Sequence, residues 1–277
     1  MKNVIFTASD SKYGNFLINH WLVSLKDNVD LSNIDVVVLD YGLTKEQISK
    51  LKGVIVYKGV RDGHVNVIRF RDMLKFLEKR KYDQVLSIDS GDIIFQDDIN
   101  PVFEENKKYF RAIVEDINVG PFVNIFLKGF FKKKDGKKIK DALKGKNEIN
   151  GGVVFGPYNK FKNLCKACNE MITDKSTFGP DQVVINYVLY RGGFKSLDIK
   201  YNFVIVTTKH KFFIKDCVFY LGNKEKIAIV HNAGNKKVFR PIKNFGYGKN
   251  YNQTKMITLF IQRIIAKAIN FSFRRKV

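Results

Sequence analysis

The chain has 277 residues, 45% of them apolar and 27% charged, which is enough apolar content for a sizeable core and argues against global disorder. Lys and Arg number 49 against 27 Asp and Glu, a formal net charge of +22, and the three cysteines exclude a disulfide-stapled secreted scaffold. No apolar run is long enough for a spanning helix, and Val4-Ile5-Phe6 is too short for a signal peptide; the expectation is a soluble or surface-bound cytoplasmic α/β protein.

Val4–Ala8 is predicted as a buried strand, followed by a loop at Ser9–Ser11 and a helix over Asn15–Leu25. Ile34–Leu39 has strand length, Thr44–Leu51 has an N-cap and a helical pattern with Gly53 past its end, and Val54–Tyr57 is a further strand. Val65–Lys81 has helical apolar spacing, and Val85–Ile88 is a strand running into Asp89-Ser90-Gly91-Asp92. Such alternation predicts βαβ units, a largely parallel sheet and a nucleotide site beyond the strand carboxyl ends. Further on, Gly151–Phe155 reads as a strand, Asn159–Thr173 and Asp181–Tyr190 as helices, and Ile227–Val230 as a strand ending in His231. There is no internal repeat and no linker, so one mixed α/β domain over 1–250 is expected, with a tail over 251–277.

The charge is concentrated in two places. Residues 231–277 hold 11 Lys/Arg and no acid, and residues 121–147 hold nine Lys and two Asp, leaving the remainder nearly balanced. A basic surface prefers anionic partners. In the tail, Ile257, Ile261, Ile264, Ala268 and Phe271 share one helical face, while Arg263, Lys267 and Arg274 fall elsewhere. That pattern suits an anionic membrane surface; the alternative is a terminal helix that caps the core. The 121–147 insertion, with Phe122, Phe126, Phe130 and Phe131 beside lysines, is a possible acceptor or membrane loop, or else a solvated helix-loop. No nucleic-acid module is present, so nucleic acid is not an expected partner.

Two segments carry chemistry. Two carboxylates at the end of a buried strand, Asp89 and Asp92, are costly unless a cation or donor satisfies them, and hard divalent cations bridge such carboxylates to phosphate oxygens. A turn built from Asp and Gly is the alternative. In His231-Asn-Ala-Gly234-Asn-Lys-Lys237, an imidazole, a glycine and a lysine share the loop after an apolar strand, which suits a metal and a diphosphate. Cys165 and Cys168 lie on a helical pattern without a second pair and read as apolar packing.

These segments resemble the GT-A-fold, metal-dependent nucleotide-sugar glycosyltransferases of family 8, a group that includes glycogenin and the bacterial lipopolysaccharide galactosyl- and glucosyltransferases. The likeness runs through Val4–Tyr13, through Tyr82–Asp89 followed by Asp92–Ile99, through Asn150-Gly-Gly-Val-Val-Phe155 and Asp181-Gln182-Val-Val-Ile-Asn186, and ends at His231-x-x-Gly234-x-x-Lys237. The family's Asp-x-Asp is here Asp-x-Gly-Asp, which allows a bulged loop at Gly91 or leaves only one Asp directly on the metal.

The resemblance implies a GT-A fold: a Rossmann-like mixed sheet flanked by helices. It implies Asp89, Asp92 and His231 on Mn²⁺ or Mg²⁺, and Ala8, Asp10, Tyr13 and Ser90 toward the nucleotide. Arg69 or Arg71 would approach the donor, Gly234 and Lys237 would grip the diphosphate, and Asn150, Asp181 and Gln182 would line the sugar and the reacting carbon. The implied activity is retaining transfer of a hexose from a UDP-sugar; taken with the basic tail, the expected acceptor is a hydroxyl of a lipid-linked cell-surface glycan precursor at the cytoplasmic face of the membrane. The alternatives are a sugar nucleotidyltransferase, or a non-catalytic glycan- or lipid-binding relative.

Overall fold

The computed structural model describes residues 2–234, 240–254 and 257–265. Strand β1 (Asn3–Ser9) is buried nearly throughout because both faces of its sheet are covered. Asp10 ends it and caps α1 (Ser11–Phe16), one carboxylate oxygen accepting from the Lys12 and Tyr13 amides at 3.1 and 3.3 Å. A π-helical stretch, Leu17–Leu22, continues into α2 (Val23–Asn28), so the helix begins at Ser11 rather than Asn15. β2 (Ile34–Asp40), α3 (Lys45–Lys50) behind a Thr44–Gln47 capping box, β3 (Ile55–Lys58), α4 (Val65–Lys79) and β4 (Gln84–Ile88) follow the expected alternation.

Beyond β4 the chain leaves that rhythm. β5 (Ile93–Phe95), α5 (Asn100–Glu104) and β6 (Phe110–Ala112) are short. β7 (Val114–Asn118) and β8 (Asn147–Ile149) form a two-stranded ladder that closes off α6 (Gly120–Phe126) and α7 (Lys133–Leu143). The Lys-rich insertion is therefore a helical hairpin on a ribbon. Ile139 and Leu143 of α7 are buried, while Lys132, Lys133, Lys134, Lys137, Lys138 and Lys140 are exposed and make no ion pair among the described residues. β9 (Val153–Pro157), α8 (Tyr158–Met171), α9 (Pro180–Gly192), β10 (Phe194–Ser196), β11 (Phe203–Val204), the β12 (Phe212–Lys215)–β13 (Val218–Leu221) hairpin and β14 (Ile229–His231) complete the chain order.

The main sheet runs β10-β6-β9-β4-β1-β2-β3. β3, β2, β1 and β4 are parallel, as expected, but β9 is antiparallel to both β4 and β6, so the sheet is mixed. The reason is local: the chain comes off the β7–β8 ribbon at the carboxyl end of β4, where the Asp89 amide donates to the Gly152 carbonyl at 2.9 Å. A strand that enters where its neighbour leaves must run the opposite way. A second sheet, β11-β14-β5, lies alongside.

Alternation along β1 sends Val4 and Phe6 to one core, with α4, α8 and α9, and Ile5 to the other, with Trp21, Leu22 and Phe95. Cys165 and Cys168 are fully buried in the first core, as their apolar reading predicted. A third cluster joins Phe203, Phe212, Phe219, Ile242 and Phe245 to Leu259, so the packed core extends past residue 250. Residues 257–265 are helical, and the expected tail residues Lys267, Ala268, Phe271 and Arg274 lie outside the described residues. Among the described residues no helix is long and apolar enough to cross a membrane.

Candidate active site

Asp89 follows directly on the carboxyl end of β4, and β5 begins directly after Asp92. Gly91 makes the turn passable, because a Cβ there would stand 2.9 Å from the Tyr13 ring. The Ser90 hydroxyl donates to the Ala8 carbonyl at 2.8 Å and ties the turn to β1. On β14, His231 pairs with Ile93 of β5, and the Asn232 amide donates to the Asp92 carbonyl at 2.9 Å. Pairing between two short strands far apart in sequence thus sets the imidazole beside Asp92, with Nε2 3.7 Å from Oδ1. Asp89, Asp92 and His231 each offer a ligand atom within 4.8 Å of the others.

The donor set fits a divalent cation. His231 Nδ1 lies 3.1 Å from Asn202 Oδ1, an oxygen that only accepts, so Nδ1 is the donor there and Nε2 is the ring nitrogen left toward the carboxylates to ligate a cation. Asn202 Nδ2 in turn donates to Asn150 Oδ1 at 3.0 Å. Burial pushes the Asp92 carboxyl above its ordinary range, with His231 and Arg240 pulling the other way. Gly152 leaves room for the cluster, since a Cβ there would lie 2.5 Å from His231 Cε1 and 3.1 Å from Asp89 Oδ2.

Two arginines balance the acids. Arg69, buried on α4, reaches Asp89 at 2.5 Å and Asp181 at 3.6 Å. Its burial opposes the charge, but Asp89 and Asp181 outweigh it and hold the guanidinium firmly protonated. Asp181, at the N-terminus of α9, is pushed up to about 6 by burial despite Arg69, and its buried Oδ1 has no hydrogen-bond partner. Arg240 donates to Asp92 Oδ2 at 3.0 Å, to the Gly91 carbonyl at 2.8 Å and to the Gly234 carbonyl at 3.1 Å, with its guanidinium 5.7 Å from the Tyr13 ring centre.

The other predicted residues fall into three groups. Asn150 and Gln182 come together: Gln182 Oε1 accepts from the Gly151 amide at 3.0 Å and its Nε2 donates to the Ile149 carbonyl, while Asn150 Nδ2 donates to Glu115 Oε1 at 2.6 Å. Ala8, Asp10 and Tyr13 cluster across the Asp89–Asp92 turn, with Asp10 Oδ2 accepting from Arg61 at 3.0 Å. Arg71 is not brought to the acids; it is held by Asp62 at 2.6 Å and Asp72 at 2.8 Å in a separate network with Tyr41. An arginine two positions along a helix from Arg69 points to a different side, so of the two it is Arg69 that lies at the acids. Lys237 lies outside the described residues.

Sequence reasoning missed Arg240, Asn202, Glu115, Gly152 and Arg61. Arg240 had a weak signal, being one of the 11 cations after His231. Asn202 and Glu115 had none, as each stands alone in an unremarkable stretch.

A mixed sheet with helices on both faces, and an acidic pair at the end of β4, defines a GT-A glycosyltransferase fold. The chain belongs to glycosyl transferase family 8, whose sequence profile matches residues 64–240. Three solved structures share the fold. An apo structure of the bifunctional glycosyltransferase WbbM matches with a TM-score of 0.55 at 16% identity, covering 87% of this chain and 46% of that one, so this chain spans about half of that protein. An active-site mutant of LgtC matches with a TM-score of 0.54 at 15% identity, covering 94% of both chains. The galactosyltransferase LgtC in complex with donor and acceptor sugar analogs matches with a TM-score of 0.53 at 15% identity, covering 96% of this chain and 95% of that one. No curated protein matches the chain.

Proposed function

We propose that this family 8 glycosyltransferase moves a hexose, with retention, from a UDP-sugar to a hydroxyl of a lipid-linked cell-surface glycan precursor, with a divalent metal and at the cytoplasmic membrane face. The observation that carries the reading is the convergence of Asp89, Asp92 and His231 within 4.8 Å. A Mn²⁺ or Mg²⁺ ion held there would neutralise charge on a departing diphosphate.

The chain's own residues account for the rest. Asp10, Tyr13, Ala8 and Ser90 form one wall, suited to the nucleoside, and Gly234 borders the diphosphate. Arg69 fixes Asp89 and Asp181 so that both carboxylates keep their positions as substrate arrives. Asn150 and Gln182 are held against the backbone of 149–152, whose Gly152 also meets His231 and Asp89, and there the sugar would lie. Gln182 is a neutral amide with both ends engaged by backbone, a poor nucleophile, which favours front-face attack: the acceptor oxygen bonds to the anomeric carbon as the sugar–phosphate bond breaks, and the hydroxyl proton passes to the departing phosphate. LgtC, the fold relative, is described as a galactosyltransferase with donor and acceptor sugar analogs, which supports a nucleotide-sugar donor and a glycan acceptor.

The membrane assignment draws on helix 257–265. Leu259 faces the core, while Ile257, Phe260, Ile261, Ile264 and Ile265 form an exposed stripe at helical spacing, between 49% and 70% accessible. Arg263 donates to the Thr208 carbonyl, the neighbouring Lys209 pairs with Asp116 of β7, and Glu115 of that strand holds Asn150. The helix is thereby tied through Thr208, Lys209 and β7 to Asn150, and the exposed lysines of α7 stand on the insertion that β7 opens. A screen of UDP- and GDP-sugars for Mn²⁺-dependent release of UDP or GDP tests the reading. UDP release from a UDP-hexose is expected; a strict need for a nucleoside triphosphate, or no turnover with any donor, would overturn it.

A further inference from the structure

Three carboxylates meet at the β4 end, and two guanidiniums already balance them. The two arginines are held differently. Arg69 is on a fifteen-residue helix, buried, and pinned between Asp89 and Asp181. Arg240 lies outside any helix or strand, keeps some solvent contact, and among the described residues reaches one acid, Asp92; its other bonds go to the carbonyls of Gly91 and Gly234. Asp92 is one of the three candidate metal ligands. We infer that Arg240 is a displaceable counter-ion: it neutralises Asp92 while the donor site is empty and passes to the donor's diphosphate when that arrives, so that nucleotide and metal bind as a coupled pair.

Charge decides this. Three carboxylates and two guanidiniums leave one net negative charge, and a divalent cation added alone would turn the buried cluster positive while competing with a guanidinium for Asp92. A diphosphate added with the cation supplies the missing negative charge and gives Arg240 a new bidentate partner. Arg69 cannot give way in the same manner, because leaving Asp181 would strand a buried acid whose other oxygen already lacks a partner. Arg240 is thereby added to the basic grip expected from Lys237.

The inference rests on the metal–diphosphate reading above, and its test separates the two. Mn²⁺ is titrated calorimetrically into the full chain with and without UDP, for the wild type, Arg240→Gln, Arg240→Lys and Asp92→Asn. Saturating UDP is expected to tighten Mn²⁺ binding to the wild type by about tenfold or more, and Mn²⁺ to tighten UDP by the same factor. Arg240→Gln is expected to bind Mn²⁺ about tenfold more tightly than the wild type without UDP, and to keep less than about threefold coupling. Arg240→Lys, which retains charge but not the fork, falls between them, and Asp92→Asn loses Mn²⁺ throughout. If Arg240→Gln shows wild-type Mn²⁺ affinity and undiminished coupling, the role given to Arg240 is overturned and the metal site stands. If no form binds Mn²⁺ even with UDP, the metal reading fails and this inference with it.

Discussion

Gly152→Ala tests the site without touching a ligand. Gly152 begins the return into β9, and its Cβ would meet His231 Cε1 at 2.5 Å, Asn150 Oδ1 at 3.1 Å and Asp89 Oδ2 at 3.1 Å. Ordinary contact begins near 3.4 Å, so the imidazole or the β9 backbone must retreat by about 1 Å, and neither is free. His231 is tied to Asn202, and the Gly152 amide and carbonyl are bonded to Asn150 and Asp89. Overpacking of this kind costs about 1–3 kcal/mol, or several degrees in Tm for a chain of this size. A misplacement of about 1 Å at a catalytic constellation costs about 10²-fold in rate. Turnover of the accepted UDP-sugar and Mn²⁺ affinity in the presence of UDP should therefore both fall steeply while the protein remains folded. Gly192→Ala, at a helical glycine with nothing within 4 Å of its added carbon, is the control and should change neither. Gly152→Ala with turnover and metal affinity within twofold of wild type would refute the argument.

Asp181 has a carboxyl pKa raised to about 6, so it contributes stability that is fully present below its unfolded value and lost as pH rises through about 6. Asp181→Asn should flatten that part of the stability–pH curve in denaturant titrations at pH 4–8. The same ionisation predicts that wild-type turnover declines below about pH 6, as Asp181 takes up a proton and releases its hold on Arg69. Arg71→Met should cost about 3 kcal/mol in chemical denaturation by leaving buried Asp72 without its guanidinium, while folded protein keeps wild-type UDP and Mn²⁺ affinity. Replacing Phe260, Ile261 and Ile264 by Ser should release the protein from anionic vesicles in a flotation assay with UDP-sugar hydrolysis intact; unchanged flotation would reject the membrane face. These point changes are cleaner than deleting 251–277, which would also strip Leu259 from the core.

Legibility in the sequence followed burial. β1, β2 and β4 are short apolar runs whose faces are both covered, and α4, α8 and α9 carry long helical stripes, so pattern alone located them. β7 alternates exposed and half-buried residues and pairs with β8 across an irregular register, so neither strand has an apolar signature. The insertion was visible as charge but not as two helices, because α6 and α7 are short and their apolar faces are completed only by packing on each other and on α9. The acid pair and His231 were legible because each closes an apolar strand. Arg240 and Asn202 were not, because their roles arise from β14 pairing with β5 and β11, contacts that no local pattern encodes.

The proposed function stands or falls with one cation shared by Asp89, Asp92 and His231 on the donor diphosphate. Crystals grown with UDP and Mn²⁺ and measured for anomalous scattering at the manganese edge locate that cation. A single strong peak is expected within bonding distance of all three side chains and of the diphosphate oxygens. A peak elsewhere, or UDP bound beside Asp89 and Asp92 with no peak next to it, would rule the shared cation out.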